Sequence, residues 1–277
     1  MVEIIISFFI IHPFWEHFGL WATIGTQAII FTVAILSVVI FKWDLCKVFP
    51  FKKPMIRQIF GIIILWICQI ILANLVNYIA VYFLPQIAGG IQEFDNTIMS
   101  VPRYATFIIT VILPPICEEF LHRGVIRYTF EEINNKWFRI AALGVAFGAF
   151  HMELSQFAAT SVLGALAAYI VIETKNLFLT MILHMLQNFL VFLVIPLRLA
   201  SGPMVTAAFD SYALIGIGEF FFLTTGVVFL LIWGDKLIHS KEYNREHKLS
   251  KKAKWAAAIF AAFCFISGIC ISFLVGV

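Results

Sequence analysis

Stretches of about 20 mostly apolar residues, each long enough to cross a bilayer, recur from one end of this chain to the other. They fall at about 20–41, 58–84, 104–130, 138–156, 157–173, 176–197, 212–233 and 255–276. Only 13% of the 277 residues are charged and 62% are hydrophobic, whereas a soluble domain carries about a quarter charged residues. Such a chain cannot coat itself with its own polar side chains, so lipid is its solvent. Backbone polar groups in lipid must be satisfied internally, which makes helices the natural spanning element. The expected fold is all-α and polytopic: about eight transmembrane helices around an intramembrane polar cavity. A single transmembrane domain is expected over 1–277. The opening "MVEIIISFFIIHPFWEHF" has neither a basic region nor a small-residue cleavage site. It reads as a poor signal peptide and as an interfacial or partly inserted segment held at the surface by Trp15 and Phe18.

The basic residues record an orientation. "KWDLCKVFPFKKPMIR" (42–57) carries Lys42, Lys47, Lys52, Lys53 and Arg57, and 234–254 carries Lys236, Lys241, Arg245, Lys248, Lys251, Lys252 and Lys254. The 85–103 and 198–211 loops hold one arginine each, Arg103 and Arg198. The positive-inside rule puts the two basic loops in the cytoplasm, and alternating crossings place both on one side. A net charge of +3 gathered in such loops is no nucleic-acid signal. Cys46, Cys68, Cys117, Cys264 and Cys270 show no CxxC or metal-ligand spacing and read as small packing residues.

Polar residues inside the apolar stretches are costly and normally paired or cavity-facing. The third stretch ends in "CEEFLHRGVIRY" (117–128). Pro114-Pro115 interrupts the helical ladder just before it, so a new helical segment is expected there, its first turn near Glu118. Adjacent helical residues diverge by about 100°, so Glu118 and Glu119 cannot share a task. Glu119 and Arg123 stand i,i+4 in the favourable acid-first order, which leaves Glu118 unpaired, with His122 at its own i+4 position. The fourth stretch, "GVAFGAFHMELSQF", sets Gly144 and Gly148 as a GxxxG approach surface and puts Phe147 and His151 on one face. In the sixth, Asn176, Thr180, His184 and Asn188 form a polar stripe. At 1.5 Å per residue Glu118, His151 and His184 lie roughly 18, 20 and 12 Å from the cytoplasmic side, near the middle of the bilayer, as a shared site requires.

Glu118-Glu119-x-x-x-Arg123, Phe147-x-x-x-His151 and His184-x-x-x-Asn188, in that order and each on a membrane helix, resemble the three motifs of the CAAX-processing and bacteriocin-processing (CPBP) intramembrane proteases. That family includes the type II CAAX prenyl endopeptidases and the bacterial Abi proteins. The resemblance covers about 104–197, the expected catalytic core. It implies a metal-independent glutamate protease without a cofactor, in an eight-helix bundle of a bacterial cell membrane. Glu118 would be the general base for water, assisted by His151, and His184 with Asn188 would hold the oxyanion. Glu119, Arg123 and Phe147 would be structural. The family commonly has an aromatic residue where this chain has His122, a candidate to tune Glu118. The implied partners are a membrane-embedded or membrane-associated peptide and the bilayer itself. Prenylated tails, bacteriocin leaders and pheromone precursors are all open as substrates, and the oligomeric state is not set by the sequence.

Three other readings use the same residues. One Glu and two His could form a zinc site, although no HExxH occurs. A non-proteolytic scaffold or bacteriocin-immunity protein could bind a membrane partner through the same pocket. A transporter would draw on Glu219, a lone acid within the seventh stretch.

Overall fold

The computed structural model describes residues 17–200, 209–239 and 250–275. The opening segment with Trp15 therefore lies outside the described residues, and Phe18, at their edge, is exposed. A 3₁₀ turn, Gly19–Trp21, leads into α1, Ala22–Ile40. A short α2, Leu45–Val48, follows, capped by Asp44, whose carboxylate accepts from the Cys46 and Lys47 amides. Next come α3 (Ile56–Phe83), α4 (Ile87–Met99) and the composite α5, Arg103–Thr129. The chain continues through α6 (Lys136–Phe150), α7 (Leu154–Thr174), α8 (Leu177–Ala200), α9 (Phe209–Ile238) and α10 (Lys251–Val275). Seven of these are long and apolar enough to cross a membrane: α1 with its leading turn, α3, α5, α7, α8, α9 and α10.

The fourth expected stretch, 138–156, is corrected. Its helix, α6, has 15 residues, about 22 Å at 1.5 Å per residue. It stops at Phe150, and the chain reverses through Met152 at φ 53°, so Gln156 already belongs to α7. The proposed glycine surface is there: a Cβ on Gly144 would stand 2.8 Å from Ala165 Cβ, and one on Gly148 would stand 2.7 Å from Phe157 O. Only glycine lets α6 and α7 approach this closely.

In α5 an α-helical segment starts at the proline pair, Leu113–Glu119, so Glu118 falls in its last turn and not, as expected, in its first; two π-helical segments, Phe107–Ile112 and Phe120–Ile126, flank it. Pro114 and Pro115 lack N–H groups, so Thr110 O has no donor from its own helix at either the α or the π spacing. That orphan is met from α8, as described below.

Helix α5 is the best buried span, at 56% of its apolar window against 17% for α10. It packs between α1 and α8; α8 also meets α3, α4 and α7, while α10 rests on α9. Outward-facing positions are apolar (Ile56, Phe83, Leu197 and Phe273 are all highly exposed), the surface of an integral, multi-pass membrane protein. The first basic loop and the described start of the second, 236–239, meet at one end of the bundle. Arg57 donates to Lys236 O and Leu237 O there, Arg127 to Lys47 O and Val48 O, and Asn176 exchanges hydrogen bonds with the Lys52 backbone. At the opposite end Arg198 of α8 pairs with both carboxylate oxygens of buried Asp95 in α4.

Candidate active site

Glu118 and Glu119 leave α5 at the last turn of its α-helical segment and diverge as helical geometry demands. The Glu119 Oε1 atom accepts from Arg123 Nη1 at 2.9 Å and lies 3.1 Å from His184 Nδ1. Arg123 is itself buried, donates to Gly164 O at 3.2 Å and lays its guanidinium 4.1 Å over the Phe147 ring. The pair read from the i,i+4 spacing therefore also fixes α7 and α8 to α5.

Glu118 faces α1. Its Oε1 accepts from Gln27 Nε2 at 2.8 Å, while its Oε2 has no hydrogen-bond partner in the protein. Among the described residues no cation stands within ion-pair distance of Glu118, although the residue is only 6% exposed. Contact thus separates the two acids: Glu119 touches the Arg123 guanidinium directly, whereas Glu118 has that charge only within Coulombic reach. The Glu118 charge lies within Coulombic reach of His151.

Phe147, fully buried, is the hub. The rings of His122, His151 and His184 stand edge-on to it at centroid distances of 5.0, 5.1 and 5.6 Å. Near-perpendicular ring pairs at these distances are a favoured aromatic geometry, and Arg123 lays its charge over a face of the same ring. His151 is further held by its Nδ1, 3.0 Å from Phe147 O. A carbonyl only accepts, so Nδ1 carries the proton and Nε2 is left with the lone pair.

Asn188 donates its Nδ2 to Thr110 O at 2.8 Å, the carbonyl that the proline pair orphans. One of its two N–H bonds is thereby spent on α5 and one remains. The polar stripe of α8 is split between two duties. Asn176 and Thr180 serve the backbone near the basic end, whereas His184 and Asn188 reach the Glu119 and Thr110 neighbourhood.

His122 makes no hydrogen bond to Glu118 among the described residues; buried within a π segment, it turns its ring toward Phe147 and Phe150, and its Nε2 has no partner. The polar groups of α5, α6 and α8 pack against one another inside the bundle. Two depressions of about 110 and 250 Å³ open to the side, along residues 148–157 and the start of α4. Glu219 is exposed on α9, beside Tyr78, apart from this cluster. Among the described residues no group of three or more His, Cys, Asp or Glu side chains is arranged to hold a metal ion. The residue that sequence reasoning missed is Gln27; its one signal is that of an amide in an otherwise apolar span.

No curated protein and no solved structure matches the chain. The family described as type II CAAX prenyl endopeptidase Rce1-like matches residues 100–190, a stretch that holds Glu118, Glu119, Arg123, Phe147, His151, His184 and Asn188; over that stretch the chain is similar to the CAAX-processing membrane proteases that its three motifs resemble.

Proposed function

We propose that this protein is an intramembrane endopeptidase that cleaves peptide tails held at or in the membrane, with Glu118 as the base that activates water. The observation that carries this reading is the unequal fate of two neighbouring buried acids. Glu119 is committed through one oxygen to the Arg123 guanidinium and to His184, whereas Glu118 is held only by the neutral amide of Gln27; the second oxygen of each acid has no partner in the protein. In the reaction Glu118 takes a proton from water as the oxygen attacks the scissile carbonyl, and returns it to the departing amine, so the carboxylate is regenerated. His151 presents an unprotonated Nε2 and assists in orienting that water. The remaining N–H of Asn188 and the Nε2 side of His184 face the developing oxyanion. The contact of His184 Nδ1 with Glu119 Oε1 fixes the orientation of that ring.

The test is cleavage of a membrane peptide by purified protein. Glu118→Gln preserves shape and removes the base, so turnover is expected to vanish while the melting temperature stays near that of wild type. Cleavage by Glu118→Gln at the wild-type rate would falsify the glutamate mechanism.

A further inference from the structure

Among the described residues, the one side-chain hydrogen bond that reaches the Glu118 carboxylate comes from outside the family-matched stretch. Gln27 lies in α1, in an apolar span, and is only 4% exposed. It occupies the same face as Ile30, Ala34 and Val38, the seam that packs on Cys117, Leu121 and Val125 of α5. An aliphatic residue would continue that seam, and a buried amide is costly unless it is bonded. Its single bond, Nε2 to Glu118 Oε1 at 2.8 Å, joins helices whose bonded residues stand 91 positions apart. The two outer atoms, Gln27 Oε1 and Glu118 Oε2, have no partner in the protein.

We infer that Gln27 is a positioning residue for the reaction: it anchors one oxygen of Glu118 and so turns the other toward the substrate water. The inference rests on Glu118 being the base. A carboxylate tied at one oxygen cannot rotate about its terminal bond, and a neutral amide ties it without cancelling its charge, as an arginine or lysine would. Gln27 Oε1, likewise buried without a partner, is an acceptor for the second proton of that water.

The experiment pairs kinetics with a readout that needs no turnover. Gln27→Leu and Gln27→Met keep the bulk and remove the amide. A lost hydrogen bond to a charged group corresponds to about 10- to 100-fold, expected in kcat with KM changed less than about twofold. The infrared carboxylate band of Glu118, assigned by its loss in Glu118→Gln, is expected to move in both Gln27 variants. Wild-type kcat in both variants, or an unmoved band, overturns the positioning role. Failure of both to accumulate as folded protein assigns Gln27 to assembly and overturns it equally. Full activity of Glu118→Gln together with a moved band sinks the glutamate mechanism alone, so the two failures are distinguishable.

Discussion

Arg123 shows how much one side chain can hold in a bundle that lipid cannot help to assemble. Its guanidinium meets a carboxylate, a backbone carbonyl and an aromatic face at once. Removing one partner of a buried ion pair strands the other charge, at about 3–5 kcal/mol. Arg123→Ala should accordingly lower the yield of folded protein and its melting temperature in detergent. A variant that melts like wild type but is inactive would move the arginine into the chemistry. Asn188→Ala is a different kind of loss. Removal of one oxyanion donor typically costs about 10²–10³ in turnover, and this substitution also reopens Thr110 O, so a fall in kcat is expected together with a modest drop in melting temperature. If substrate affinity falls instead and kcat holds, Asn188 binds ground state and transition state alike.

At the scale of elements, the α6–α7 contact is the most exacting. A Cβ on Gly148 would fall 2.0 Å from Ser161 Oγ and 2.7 Å from a backbone oxygen; the hydroxyl can rotate, whereas the carbonyl cannot. Overpacking of this sort costs about 1–3 kcal/mol. Gly148→Ala should reduce thermal stability by that order and displace His151, which the same helix carries; an unchanged melting temperature would mean that the hairpin is looser than this geometry. These local relations were legible in the sequence: the Glu119–Arg123 pair, the Phe147–His151 face and the small-residue surface all follow from helical spacing within one element. The links between elements were not. Nothing in the spacing of α1 says that Gln27 meets Glu118, or that His184 meets Glu119, because such contacts depend on how whole helices pack. The end of α6 was misjudged for a related reason: residues 151–156 contain no Gly or Pro to mark a break, while the left-handed turn at Met152 ends the helix.

For the whole molecule, the basic end is tied together by His239, just past α9. Its ring nitrogens meet Asp235 and Glu173, and Glu173 also pairs with Lys136. Burial opposes the charged ring, but the hydrogen bonds to Asp235 and Glu173 outweigh it and raise the imidazole to about 10. A group whose folded value lies above its unfolded one, about 6.5, stabilises fully below that lower value and loses its contribution as pH rises through the upper one. The melting temperature of wild type should therefore fall between pH 7 and 10 more steeply than that of His239→Gln; parallel curves would remove His239 from the account. The bundle also predicts its own orientation. The first basic loop and the described start of the second share an end, so an engineered cysteine in 85–103 should be labelled from outside intact cells; labelling only after the cytoplasmic side is opened would invert the topology.

Hydrolysis consumes water, and lipid supplies none. At about 22 Å, α6 is too short for a hydrocarbon core of about 30 Å, so the tip that carries His151 and the exposed carboxylate of Glu153 stops below the far interface. A bilayer meets such a mismatch by thinning or by admitting solvent around the polar tip. The expected consequence is a hydration shaft from the end opposite the basic loops, leading bulk water toward the histidines around Phe147. Vesicles of longer-chain lipids would lengthen that shaft and slow turnover, and shorter chains would speed it; a rate indifferent to acyl length would mean that water arrives by another path.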